Sequence, residues 1–590
     1  MAGSGDNLRQ RKKDSNGAAV KKTSATSPVA RNKKTGGVRL STLLYIVLFA
    51  VGFAAYYDPE RVFGLVKPYI FRTTWQPVPS SSSYDPDFTA DVAKRDAVVG
   101  AFKHAWLAYE RDAMGDDEYH PISHEGTNLT EAGGIGYTIV DSIDTMLMMH
   151  LDEEYQRARD WIEKKMSFDR DAKFNTFETT IRVLGGLLST YHLSGEDPLF
   201  LEKAKELADR MLPVFDTPSG LPLSMVNLGK KEGVSDVDNR GLVSTAEAAT
   251  LQLEFKYLSL LTDEEIYWEK AEKVMQVIKN AHLTSGLASI FMNPEDGRFV
   301  LSAIRLGSRG DSYYEYLLKQ YVQTNLSEPV YRVMYDDAMN GVLAHLVQKS
   351  TNAKLTYTSE LIPERNPAGE ISWRLIPKQD HLVCFLGGNL MLGAITTGAL
   401  TKNVSVPPKQ DELTEQGKRD WQAGVALIET CMRTHDTATG LSPEIAHFRI
   451  PTDGMDFSGA ALDWYIKGAR IGEHPPYDAR YILRPETVES LFVAFRLTGN
   501  KRYRDYGWSI FQAIEKHCRV ESGGYASIIN VDESPARMED KMETFFMSET
   551  LKYLYLLFDD ASTLPLSEYV FNTEAHPFPI FNPTIRTGFS

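Results

Sequence analysis

Cysteine is scarce in this chain of 590 residues. The three present, Cys384, Cys431 and Cys518, form no CxxC pair, which removes thioredoxin-like redox chemistry and cysteine-ligated zinc from consideration. A Gly-rich phosphate loop is missing, and so is the GxSxG turn that presents a serine nucleophile. His120 and His124 stand four apart, but Pro121 between them argues against a shared helix, so both read as loop residues. Asp236 to Glu247 imitates a calcium loop, with Asp at positions one and three, Gly at six and Glu at twelve. Arg240 at position five puts a cation where a ligand belongs, and the imitation fails there.

Acidic residues are rare at the start of the chain. Residues 1–39 hold ten Lys or Arg against Asp6 and Asp14, a net of +8, which leaves −23 for the rest of a chain whose total is −15. A basic tail suits nucleic acid, but here an uncharged run, LSTLLYIVLFAVGFAAYY (40–57), follows at once. Its length is near the minimum for a transmembrane helix. Arg39 bounds it on one side and Tyr56, Tyr57 and Asp58 on the other. The positive-inside rule keeps the tail cytosolic and sends the C-terminal mass across the membrane. A cleaved signal peptide would have a shorter leading region, so the expectation is an uncleaved anchor and no nucleic-acid partner. The sequons at Asn128, Asn325 and Asn403 agree with a lumenal body. In an oxidising lumen, three cysteines imply one disulfide and one thiol, with the pairing open.

Residues 58–93, with Pro-Val-Pro and Ser80 to Ser83, read as a stem. Residues 94–590 read as one large body. With 43% hydrophobic and 24% charged residues overall, disorder of the whole chain is excluded. The body repeats a pattern: YHLSGEDPLFLEKAKELADRM (191–211), YLSLLTDEEIYWEKAEKVMQVI (257–278), FRLTGNKRYRDYGWSIFQAI (495–514) and, more loosely, residues 317–339. Each ends one helix, turns through a polar loop and starts another. Ile181, Leu184, Leu188 and Tyr191 share a helical face, as do Val488, Phe492 and Phe495. Ser244 with Glu247 forms a capping box, and Pro485 fits a first helical turn. Recurring helical hairpins mean an all-α array, either an open solenoid or a closed toroid.

Acids stand at apolar helix ends throughout that array: Glu178 in FETTIRVLGGLL, Asp311 in GDSYYEYLLKQY, Glu444 in GLSPEIAHF, Glu486 and Glu489 in YILRPETVESLF behind Arg484, Glu543 in KMETFFMSET, and Glu574 in FNTEAHP. Any one of them is explained by the helix dipole alone. Together they mark one rim. Clustered carboxylates with Tyr and Arg suit glycoside hydrolysis, in which one acid protonates the leaving oxygen and another activates water. Such a cluster also needs a cation.

These segments, with VDSIDTMLMM, HLVCFLGGNL and METFFMSETLKYLYLLF, closely resemble the class I α-1,2-mannosidases, glycoside hydrolase family 47, from about residue 94 to 580. The resemblance implies an all-α (α/α)7 barrel, which follows the single transmembrane helix read at 40–57. It implies an inverting, calcium-dependent hydrolase that removes terminal α-1,2-linked mannose from high-mannose N-glycans. Glu178 matches the family's general acid and Glu486 its base, with Asp311 the alternative for that role; Asp311 and Glu444 match the family's other two catalytic acids. Phe177 and neighbouring carboxylates are expected to bury Glu178 and keep it protonated. Thr573 matches the calcium ligand, with Glu486, Glu489, Glu543 and Glu574 around it as acceptors for bound water. Arg484, Glu489, Glu543 and Glu574 are expected to line the substrate site. Cys384 and Cys431 match the family's disulfide, which leaves Cys518 as a buried thiol. Arg309 matches an Arg of the endoplasmic-reticulum members, where Golgi members usually carry Leu. It favours removal of one middle-branch mannose from the nine-mannose glycan and residence in the endoplasmic reticulum. Four rival readings are a broadly trimming Golgi enzyme, a weakly active degradation-linked paralogue, a lectin-like sorter and a purely structural helical-repeat scaffold, which would not concentrate acids at its helix ends. The sorter would lack one of these acids or the metal Thr, and all are present.

Overall fold

Seven inner and seven outer helices alternate along the described residues of the computed structural model. It describes residues 86–590 except 284, 368, 451–462, 470–472, 586–587 and 590. The basic tail, the expected anchor at 40–57 and nearly all of the expected stem lie outside them. Among the described residues no helix is long and apolar enough to cross a membrane. Residues 86–91, assigned to the stem by composition, already pack on the body: Asp87 N donates to Gly499 O and Asp91 N to Phe558 O.

The helices are α1 (Val92–Ala113), α2 (Tyr137–Met148), α3 (Asp152–Lys164), α4 (Gly185–Leu193), α5 (Pro198–Met211), α6 (Gln252–Thr262) and α7 (Glu265–Asn280). They continue with α8 (Asp311–Gln323), α9 (Pro329–His345), α10 (Phe385–Thr396), α11 (Glu415–Thr434), α12 (Glu486–Arg496), α13 (Lys501–His517) and α14 (Leu551–Phe558). Each even-numbered helix packs on the next, α2 on α4 through to α12 on α14. The turn entering α14 returns to α2 and closes the ring. Each odd-numbered helix backs an even-numbered one, with α1 behind α14. The array is thus a closed toroid of seven helical pairs, which decides between the two forms the repeats allow.

Burial separates the two rings. Outer α5 buries Phe200, Ala204, Leu207, Ala208 and Met211, a single stripe at helical spacing. Inner α8 buries every residue from Ser312 to Gln323, polar ones included. Glycine lets inner helices approach closely: a Cβ on Gly388 of α10 would lie 3.1 Å from Ser490 Cα of α12. The four repeats quoted from the sequence are the α4–α5, α6–α7, α8–α9 and α12–α13 hairpins. His120 and His124 do not float free, because Glu118–His120 pairs with Glu125–Thr127 around a tight turn. Pro485 caps α12 from outside its first turn. Short antiparallel strands join the pairs, and a C-terminal hairpin of Tyr569–Phe571 with Pro577–Pro579 contacts α8 and α4.

Candidate active site

FNTEAHP is the loop of that C-terminal hairpin, and almost all of it is buried. Asn572 organises it. Its Oδ1 accepts from Glu574 N (2.9 Å) and His576 N (2.8 Å), and its Nδ2 donates to Ile181 O and Glu254 Oε1. Ala575 has φ +60°, and Lys552 holds its carbonyl at 2.9 Å. Beneath, His576 Nδ1 lies 2.7 Å from Asp144, which also meets Lys552 at 3.0 Å, and its Nε2 lies 3.3 Å from Asp141. Burial opposes the charge on Asp144, yet Lys552 and His576 outweigh it and hold its pKa down to about 2. Burial likewise opposes protonation of His576, and Asp144 overrides it, so its pKa is raised.

Above this floor lies an axial cavity of about 310 Å³. Glu178, Asp311, Glu486, Glu489, Glu574, Arg309, Arg484 and Thr573 all line it. Two of the expected residues do not. Glu444 sits behind the wall, where both its oxygens accept from Arg484 Nε at 2.9 and 3.0 Å. Arg484 Nη1 in turn reaches Glu486 Oε1 at 3.5 Å, so Glu444 meets the cavity only through Arg484. Glu543 does not line the cavity and pairs with Lys541 at 3.4 Å.

Each wall carboxylate has its own setting. Asp311 opens α8, where its Oδ1 accepts from Ser312 N at 3.0 Å. Burial pushes its pKa up to about 7. Glu486 opens α12, and its Oε2 has no protein hydrogen-bond partner. Burial pushes it up to about 7 as well, against the pull of Arg484. Burial raises Glu489 to about 8, although Lys319 opposes it. Glu178 differs. Its side chain is 38% exposed and bonds Arg182 Nε at 2.8 Å, so the burial expected for it falls on Asp311 and Glu486 instead. Thr573 N donates to Tyr316 Oη (3.3 Å), and its Oγ1 donates to Glu315 Oε2 (2.8 Å).

Several functional groups were not singled out in the sequence. Arg182 bonds Glu178, Glu574 and Thr544. Glu315 bridges Thr573 and Lys319. Glu549 also lines the cavity, as does Glu247, which the sequence marked only as a capping residue. A signal was available for the first two: Arg182 follows Glu178, and Glu315 follows Asp311, by one helical turn. Glu549 had none, because it lies on the π-helical turn Phe546–Thr550, as Arg182 lies on Thr179–Leu184. Such turns shift the side-chain register and recur at functional sites.

Around Thr573 the donors are all oxygen, and acids outnumber cations. Among the described residues no three His, Cys, Asp or Glu side chains converge as ligands of one ion. A metal here would rest on Thr573 and water, with carboxylates one layer out.

A helical toroid with an axial pocket of acids and arginines is laid out for sugar hydrolysis. Comparison with known proteins makes the class specific. Residues 101–580 match the model of glycosyl hydrolase family 47. A mannosyl-oligosaccharide 1,2-alpha-mannosidase of Candida albicans is 46% identical over 500 residues, 83% of this chain and 84% of that one. The endoplasmic reticulum mannosyl-oligosaccharide 1,2-alpha-mannosidase of Homo sapiens is 43% identical over 83% of this chain and 64% of its own. The solved alpha-1,2-mannosidase from Trichoderma reesei superposes with a TM-score of 0.71 at 28% identity, covering 83% of this chain and all of that one. The chain belongs to glycosyl hydrolase family 47. The disulfide expected from the resemblance joins Cys384 to Cys431, and Cys518 is a free, buried thiol.

Proposed function

We propose that the chain removes terminal α-1,2-linked mannose from high-mannose N-glycans with inversion. The carrying observation is the grouping of Glu178, Asp311 and Glu486 around one cavity with Thr573 at its base. Inversion needs an acid and a base about 6.5–9.5 Å apart, with water between the base and the sugar. Glu178, oriented by Arg182, takes the leaving oxygen's side. Glu486 takes the water's side, where Arg484 Nη1 lies 3.5 Å from its Oε1. Burial raises Asp311 to about 7, as it does Glu486, so Asp311 is the second candidate for the base. Glu444 acts through Arg484, which it holds against Glu486.

Calcium fits the base of the cavity. The hydroxyl of Thr573 is a hard oxygen donor, Glu486, Glu489, Glu549 and Glu574 surround it with acceptors for metal-bound water, and their charge is underpaired. When bound, the ion supplies positive charge that orients sugar hydroxyls and water.

Arg309 stands at the cavity wall with its guanidinium 5.1 Å from the centre of the Phe291 ring. Its fork can hold glycan hydroxyls in pairs, which favours one dominant product, the middle-branch eight-mannose isomer. We assign residues 1–39 to the cytosol, 40–57 to a type II anchor in the endoplasmic reticulum membrane, 58–85 to a stem and 86–590 to the lumenal catalytic barrel. The test is digestion of nine-mannose N-glycan with calcium and with chelator, resolving product isomers. One isomer lost on chelation supports the proposal. Steady trimming to five mannoses points to the Golgi type, and glycan binding without mannose release points to a sorter.

A further inference from the structure

Three arginines line the axial cavity, Arg182, Arg309 and Arg484. Two of them are committed. Arg182 donates to Glu178, Thr544 and Glu574, and Arg484 donates to Glu444. Among the described residues, the Arg309 guanidinium donates to no protein acceptor. It meets the Phe291 ring instead, whose centre lies 5.1 Å from the guanidinium carbon. Burial raises Glu247 to about 7, and the charge of Arg309 opposes that rise without a hydrogen bond between the two. The main chain around this pair is fixed. Arg309 has φ +73°, in a turn closed by Gly310 N and Asp311 N on Gly307 O at 3.0 and 3.1 Å. Its carbonyl accepts from Ala246 N at 3.0 Å. Phe291 lies on the middle strand of a three-stranded sheet, directly opposite Ser244. Ser244 and Ala246 line the cavity and Phe291 does not, so the ring backs the guanidinium from behind the wall. An aromatic face attracts the cation and leaves the N–H groups at its edge free to bond.

We infer that Phe291 is a positioning residue for product selectivity: it holds the Arg309 guanidinium at the cavity wall with its donors open to the hydroxyls of a high-mannose branch. The inference rests on the role proposed for Arg309 and extends it to a side chain that does not reach the cavity. A long Arg arm with no partner samples many rotamers, and a bound glycan must freeze it at a cost in affinity. The ring removes part of that cost in advance. It does so without occupying a single donor, as a carboxylate would. Arg182 and Arg484 show the alternative, in which carboxylates fix the arm and use up its N–H groups.

The test compares Phe291→Leu, apolar but without a ring, with Phe291→Tyr, which keeps the ring, and with Arg309→Leu alone and combined with Phe291→Leu. The full chain in detergent digests nine-mannose N-glycan with calcium, and product isomers are resolved. Affinity for the same glycan is read by calorimetry on a Glu486→Gln background, where hydrolysis is slow. Phe291→Leu is expected to weaken that affinity about 2- to 30-fold, the range of a lost cation–π contact, and to move the product profile toward that of Arg309→Leu. Phe291→Tyr should stay close to wild type in both. On the Arg309→Leu background, Phe291→Leu should change nothing further, because its effect runs through the arginine. A ring that only packs the wall gives a different result: Phe291→Leu lowers the melting temperature and changes affinity equally with and without Arg309. That outcome overturns the inference, as does a Phe291→Leu with wild-type profile and affinity, or a Phe291→Tyr that falls as far as Phe291→Leu. Should Arg309→Leu itself leave the product profile unchanged, the selectivity proposed for Arg309 fails, while the coupling of the two substitutions in affinity still decides whether Phe291 holds it.

Discussion

The floor and the wall of the axial cavity are both built from buried charges, yet they are built to different rules. At the floor, Asp141 and Asp144 face Arg182, Lys552 and His576, so each acid has a cation against it. On the wall, Asp311, Glu486, Glu489 and Glu549 have Arg484 and Lys319 nearby, and these are already shared with Glu444 and Glu315. The pKa values follow. Those of Asp141 and Asp144 are held down, because the cations outweigh burial. Those of Asp311, Glu486 and Glu489 are pushed up by burial. A balanced cluster holds a fold together. A cluster with excess charge of one sign is completed by something that binds.

The largest effect comes from breaking the wall without touching the floor. Glu486→Gln should lower mannose release by about 10²- to 10⁴-fold, the range of a lost general acid or base, with little change in melting temperature. A variant that keeps a tenth of wild-type turnover would remove Glu486 from the base's role. Breaking the floor is expected to do the reverse. Asp144→Asn leaves Lys552 and His576 partly unpaired in the core and should cost about 3–5 kcal/mol in a denaturant titration. Surviving folded molecules should keep most of their turnover.

Next comes pH, where the two clusters have opposite signs. In chelator, folded Asp311 and Glu486 keep their protons up to about pH 7, while unfolded carboxyls lose theirs near their ordinary values. The folded state therefore binds more protons between about pH 4 and 7, and stability falls as pH rises across that window. The slope is at most about 1.4 kcal/mol per pH unit for each group, and calcium should flatten it. Asp144 works the other way: its stabilisation is present above its ordinary pKa and is lost as pH falls toward about 2. Melting curves across pH, with and without calcium, check both limbs. A flat chelated profile from pH 4 to 7 would mean that the wall is not a strained acid cluster. The smallest expected effect is on selectivity. Arg309→Leu should leave release of the first mannose within a few-fold, by roughly the worth of one lost hydrogen-bonded contact, while continued trimming rises. Isomer-resolved product profiles measure it.

Much of this arrangement was legible in the chain. Helical hairpins followed from apolar spacing interrupted by polar turns, and candidate acids from their places at apolar helix starts. The motif set carried the family, which the family match over residues 101–580 bears out. Glu444 and Glu543 show the limit: their motifs are as clear as that of Glu486, yet one backs Arg484 and the other pairs with Lys541. Position at a helix end says that a side chain is near the rim. Which way it faces depends on neighbours hundreds of residues away.

The sequence by itself determined the helices, their pairing into hairpins and the supply of acids, because 3.6-residue periodicity and turn chemistry are local. Tertiary structure alone decided that the array closes, that Thr573 meets Glu315, that Glu178 is more open than Asp311, and that one set of buried charges is balanced and the other is not. Those outcomes depend on burial and on partners distant in the chain, and neither exists before the ring is shut.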